Sequence, residues 1–172
     1  MKAISILKEI ILFVILVLLQ VLLFNRIAVF GLAVPILYIY FLIKLPYGRN
    51  RFYVIISGFL LGLVIDIFLN TPGMNAAATT IVATLRTIIL NLFYPKNEYE
   101  ELVPNIHVST SAFIKYTITM VLLHQTLLFF IEAFTLFNIT STLIRISSSL
   151  LLTIILILAL DSLSIRKKKV SG

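Results

Sequence analysis

The chain has no cysteine and no tryptophan, and only 12% of its residues are charged. Without cysteine there is no disulfide, no thiolate metal ligand and no cysteine nucleophile. Without tryptophan, only tyrosine, lysine and arginine remain to mark a membrane–water interface. Soluble domains carry about a quarter charged residues, so the scarcity of charge alone argues against a soluble fold. What is abundant is apolar: 60% of the 172 residues are hydrophobic. That leaves room for several spans of about 20 residues and little for a soluble domain. The expected class is an all-α membrane protein forming a single polytopic domain over residues 1–172.

A net charge of +7 can signal nucleic acid, but here the basic residues sit in short tails and loops that flank apolar runs. That arrangement specifies membrane topology, and no nucleic-acid partner is expected. Six hydrophobic segments are legible, at about 4–24, 28–45, 52–69, 75–93, 112–134 and 143–163. The second is the weakest, because Pro35 interrupts it; its helix is placed to begin at Pro35, where a missing N–H costs least. The first has too long an apolar core for a cleaved signal peptide, and no small-x-small site follows it.

Six spans put both tails and the loops after the second and fourth spans on one side of the membrane. Eleven basic residues lie there: Lys2, Lys8, Lys44, Arg49, Arg51, Lys96, Lys115, Arg166, Lys167, Lys168 and Lys169. The other side has two, Arg26 and Arg145, and Arg86 lies inside the fourth span. The excess makes that side, and both termini, cytoplasmic. Tyr47, Tyr53, Tyr94, Tyr99 and Tyr116 fall at the same interface, where a ring with a polar tip is accommodated. The longest soluble piece is the connector at 94–111 with Glu98, Glu100 and Glu101, read as a solvated linker or a short surface helix.

Catalysis requires clustered polar groups, and they are sparse. His107 and His124 have no second histidine or acid at ligand spacing, so no metal site is expected. No phosphate loop, nucleophile elbow or carboxylate pair occurs. No enzyme activity and no cofactor is expected. His124 and Gln125 lie near mid-membrane, positioned to hydrogen-bond across helices or simply to pack. The Asn138–Thr140 match to a glycosylation acceptor is too short to carry weight.

The intramembrane charges are read as structural pairs. About a turn near Pro72, Asp66 and Arg86 differ in depth by roughly 12 Å at the helical rise, too far for an easy ion pair. Glu132 and Arg145 lie nearly symmetrically about the turn near Asn138 and are expected to pair. Asp66 is placed to compete for Arg145 or to meet Arg26. Arg86 is placed to snorkel toward the cytoplasm or to approach Asp161.

The most informative stretch combines small residues with one acid: Gly58-x3-Gly62-x3-Asp66, then Pro72-Gly73 and Ala76. Steps of four keep the first three residues on one helix face. Glycine there lets another helix approach closely, and a carboxylate in hydrocarbon must face protein or water. This face is expected to be a packing or partner-docking surface.

These features together (six short spans, almost no external mass, a basic tail and the Gly58–Gly62–Asp66–Gly73–Ala76 order) resemble the bacterial rod shape-determining MreD family. The resemblance implies a non-enzymatic inner-membrane scaffold of the cell-elongation complex that builds lateral peptidoglycan. Its implied partners are an MreC-like protein, an MreB-like filament, the elongation transpeptidase and glycosyltransferase, and membrane lipid. That family is similar in fold to the substrate-binding subunits of energy-coupling-factor transporters. The alternative reading is therefore a substrate-binding membrane subunit of a vitamin-type transporter, which requires a cavity open to the outside with convergent polar groups.

Overall fold

The computed structural model describes residues 2–26, 34–94, 103–133 and 139–163, excepting the side chains of 2–5, 133, 139–143 and 145. All regular structure in these residues is helical. Helix α1 (Lys2–Leu19) runs into a widened turn at Gln20–Phe24, closed by a 2.9 Å bond from Asn25 N to Gln20 O. A short 3-10 turn (Leu37–Ile39) leads into α2 (Tyr40–Lys44). Helices α3 (Arg51–Leu69), α4 (Met74–Phe93), α5 (Thr110–Ala133) and α6 (Ile139–Ser162) follow.

Among the described residues, four helical stretches are long and apolar enough to cross a membrane: Ile6–Phe24, Arg51–Leu69, Met74–Phe93 and Thr110–Glu132. The apolar part of α6, Ile146–Ser162, is shorter. Outward faces such as Leu7, Ile10, Val14 and Leu18 on α1 and Phe59 and Ile67 on α3 stay exposed. Apolar surface of that extent needs a lipid or protein cover.

The second apolar segment departs from the expected span. Its described part is irregular at 34–36, turns at Leu37 and is α-helical only over Tyr40–Lys44. Proline fixes φ and has no N–H to donate, so Pro35 keeps a regular helix from running through it. Backbone away from water must still be hydrogen-bonded, and side chains from other helices supply the partners. Val34 N donates to Ser149 Oγ at 3.1 Å and Ile36 N to Thr153 Oγ1 at 3.0 Å. Gln20 accepts from Leu37 N at 2.7 Å and donates to Pro35 O at 3.0 Å. Residues Leu37 through Ile43 are all buried. This segment is the centre of the bundle, not one of its walls.

Local signals start and stop the longer helices. Asn50 Oδ1 accepts from Phe52 N at 2.8 Å and caps α3. Asn70 ends α3 in the left-handed conformation (φ 54°), which asparagine tolerates better than most residues. Gly73 (φ 77°) then starts α4, with open space where a Cβ would sit. Glycine is needed there for its backbone, not for its size.

Tyr94 and Tyr116, read as interfacial, are buried within the bundle and stack edge to face at 6.2 Å. Glu98, Glu100, Glu101, Tyr99, Asn138 and the basic tail lie outside the described residues.

Candidate functional site

The α3–α4 hairpin brings Gly58, Gly62, Asp66 and Ala76 together. A Cβ on Gly62 would lie 2.4 Å from Asn75 O and 2.5 Å from Ala76 Cα. One on Gly58 would lie 2.8 Å from Ala83 Cβ. The two glycines therefore bring the helix backbones to near contact, against Ala76, Thr79 and Ala83 on α4. Of the two expected uses of this face, packing and partner docking, the structure shows packing: α4 fills it and leaves no room there for a further helix. Gly73 sits apart, in the turn.

Asp66 is buried, and its described partners do not include Arg26; the side chain of Arg145 lies outside the described residues. Its carboxylate accepts from Asn75 N at 3.0 Å, Asn75 Nδ2 at 2.9 Å, Ala76 N at 2.8 Å and the Thr71 hydroxyl. The first N–H groups of a helix lack intrahelical partners and carry the positive end of its dipole. Gly73 has no side chain to cap α4, so Asp66 caps it from the preceding helix. Four donors around one carboxylate offset its removal from water.

From this acid a polar chain crosses the bundle. Asn75 Oδ1 accepts from Tyr38 OH at 2.7 Å, and Tyr38 OH lies 3.2 Å from His124 Nε2. One helical step from His124, Gln125 Nε2 donates to Thr153 Oγ1 at 3.0 Å. So His124 and Gln125 each reach another element, in buried surroundings.

Beside this chain lies a half-open cavity of about 450 Å³, within the usual range for small-molecule pockets. Its polar lining comes from Gln20, Asn25, Tyr38, Thr71, Asn75, Glu132 and Ser149; Leu69, Met74, Leu128 and Phe129 form apolar walls. The irregular 34–38 segment contributes Val34, Ile36 and Tyr38. Non-helical backbone at membrane depth is tolerated where it is buried in protein or lines a cavity, and here it does both. Glu132 takes its place in this lining; the expected Glu132–Arg145 pair involves a side chain outside the described residues.

The opposite end of the bundle holds the remaining charges. Arg86 is buried and neither snorkels nor meets Asp161. It donates to the backbone carbonyls of Leu42, at 2.6 Å, and Leu45. These carbonyls belong to the end of α2, which has no helical turn beyond it to supply donors. Asp161 instead pairs with Lys44 at 2.8 Å and accepts from Tyr40 OH at 2.8 Å and Ile106 N at 2.6 Å. Lys44 also donates to Pro104 O at 3.0 Å. The described part of the connector is thereby tied to α2 and α6. Glu9 holds Arg49 and accepts from Tyr53 OH at 2.9 Å, joining α1 to α3.

Among the described residues no three His, Asp or Glu side chains gather as a metal site would require. Sequence reasoning missed Gln20, Tyr38, Ser149 and Thr153. Their signal was present, as isolated polar residues in apolar runs, but each partner is far away along the chain. No protein-family model, curated protein or solved structure matches this chain.

Proposed function

We propose that this protein is a non-enzymatic scaffold in the bacterial plasma membrane, acting in the cell-elongation complex that builds lateral peptidoglycan, with both termini cytoplasmic and six crossings. One observation supports this reading above the others. The buried charges Asp66, Arg86, Asp161 and Glu9 each hold structural elements together. A proton or ion relay needs ionisable groups that exchange partners, whereas these are bound to backbone groups, to Lys44 and Arg49, or to neighbouring polar side chains. Such a bundle acts through its surface, and its outer helix faces are apolar. The partners that the resemblance implies, an MreC-like protein first among them, belong to this proposal.

The test is depletion of the protein in its rod-shaped host. Rods should round up, and crosslinks between this chain and an MreC-like protein should be recoverable from undepleted cells. Retained rod shape after full depletion refutes the scaffold reading. The cavity favours a second reading, a substrate-binding transporter subunit. It predicts lost uptake of a small molecule with cell shape unchanged.

A further inference from the structure

We propose that Asp66 sets the tautomer of His124 through a one-way hydrogen-bond chain running by Asn75 and Tyr38. The direction is decided at the carboxylate end. Backbone N–H groups only donate, and Asn75 N reaches one oxygen of Asp66 while Ala76 N reaches the other. Both oxygens are thus engaged as acceptors, and the Asn75 side-chain atom 2.9 Å from Asp66 Oδ1 is its amide nitrogen. Thr71 Oγ1, which donates to the carboxylate, accepts from the same amide nitrogen at 3.2 Å. The Asn75 oxygen is thereby turned toward Tyr38 and takes the single phenolic proton at 2.7 Å. Tyr38 has only lone pairs left for His124 Nε2, 3.2 Å away. Nε2 therefore carries the hydrogen.

Nothing local competes with this instruction. His124 is fully buried, and its other nitrogen, Nδ1, meets no hydrogen-bond partner among the described residues. The protonated nitrogen of an imidazole is selected by the hydrogen bonds that its ring makes, and here the bond is to Tyr38. The neighbouring Gln125 is oriented separately. Thr153 gives its own hydrogen to Ser149 O at 2.7 Å and so accepts from Gln125 Nε2. Asn75 stands in the chain as an amide, which does not titrate, so orientation passes along it and not a proton. The device links the α3–α4 turn to α5 and goes beyond the scaffold reading without altering it.

The chain has two histidines, so His107→Gln leaves His124 as the sole reporter. The full chain with 15N- and 13C-labelled histidine is reconstituted in bilayers, and solid-state NMR at neutral pH reads which ring nitrogen is protonated. A single neutral species with the hydrogen on Nε2 is expected. Asn75→Leu keeps the backbone N–H that meets Asp66 but removes the side-chain oxygen, which frees the Tyr38 proton for Nε2. The Nδ1–H tautomer should then become the main species. Asp66→Asn has one acceptor oxygen in place of two and loosens the hold on the Asn75 amide, so an Nδ1–H species should appear beside the first. Gly58→Ala strains the same hairpin against Ala83 without touching the chain, and should leave the spectrum unchanged.

If Asn75→Leu does not fold, Tyr38→Phe reads the last link, and a mixture of both tautomers is expected. Any Nδ1–H signal from the otherwise unsubstituted protein, in a neutral ring or an imidazolium, overturns the proposed direction. An unchanged spectrum in Asn75→Leu or Tyr38→Phe overturns control by the chain, and one in Asp66→Asn overturns the part played by the acid. A tautomer mixture in Gly58→Ala would trace the effect to general loosening of the hairpin and overturns the proposal as well. None of these outcomes bears on the scaffold reading, which is decided by cell shape.

Discussion

Asp66 caps a helix other than its own: its Oδ2 accepts from Ala76 N at 2.8 Å, across the turn joining α3 to α4. The sequence separation of ten residues is too long for an ordinary cap, in which the residue immediately before the helix reaches two or three residues on. It works because Gly62 lets the two helices close to near-contact just below. The acid and the glycine are thus parts of one device.

Removing the acid should therefore weaken the hairpin, not the insertion of the chain. Asp66→Ala leaves two buried N–H groups without acceptors, a loss of about 1–3 kcal/mol for each unsatisfied group. Asp66→Asn keeps one acceptor and should lie between wild type and Ala. Thermal unfolding in detergent measures this order. Equal stability of all three proteins contradicts the capping role.

The two glycines should differ in how they can be repaired. Gly62→Ala meets backbone at 2.4 and 2.5 Å, which can move only by separating the helices, at about 1–3 kcal/mol. Gly58→Ala meets chiefly the side-chain Cβ of Ala83, and Ala83→Gly removes it. The Gly58→Ala/Ala83→Gly protein should recover most of the lost stability, whereas Gly62→Ala with Thr79→Ala should not. Comparing unfolding temperatures of the four proteins decides.

Arg86 should not be replaceable by lysine. Its guanidinium donates to two carbonyls, Leu42 O and Leu45 O, from one planar group. An ammonium is a point donor on a differently shaped stem. Arg86→Lys should lose about 1.5–3 kcal/mol for a charged hydrogen bond. Amide exchange over residues 40–48 should rise before exchange elsewhere. Uniform exchange across the bundle would show that Arg86 does not specifically hold the end of α2.

Lys44 and Asp161 should be strongly coupled, because Asp161 is fully buried and Lys44 nearly so. Removing one partner of a buried pair costs about 3–5 kcal/mol, while replacing both with apolar residues is often much milder. Lys44→Met and Asp161→Leu should each destabilise more than the double variant. Proteolysis in the 103–109 stretch should increase with Asp161→Leu, since Ile106 N loses its acceptor. Additive effects in the cycle would disprove the coupling.

The topology rests on the asymmetry of basic residues. Reporter fusions after Gly172 and within 95–102 should lie in the cytoplasm, and fusions beside Gly73 and Asn138 outside. A C-terminus on the outer side would remove one crossing, and the interrupted second segment is where it would be lost.

Composition and periodicity determined the class of this protein by themselves. Long apolar runs with few charges can satisfy their backbone in lipid only as helices. The runs that became α1, α3, α4 and α5 could thus be located to within a few residues. The Gly58–Gly62–Asp66 spacing likewise marked a close-packing face, because helical periodicity is a local property. Which element fills that face was decided by tertiary structure, since a small-residue stripe is complementary to any helix that can reach it. Arg86 and Asp161 show the same limit. Charge and depth alone would pair them, yet Arg86 is drawn to carbonyls left open at the end of α2, and Asp161 to Lys44. Those open carbonyls lie at the C-terminal end of α2, where Leu45 turns extended before Pro46. At the other end, Pro35 breaks the second segment and leaves a short helix buried at the centre. The cavity follows from the same break, lined by residues from far apart in the chain, whose convergence no local pattern encodes.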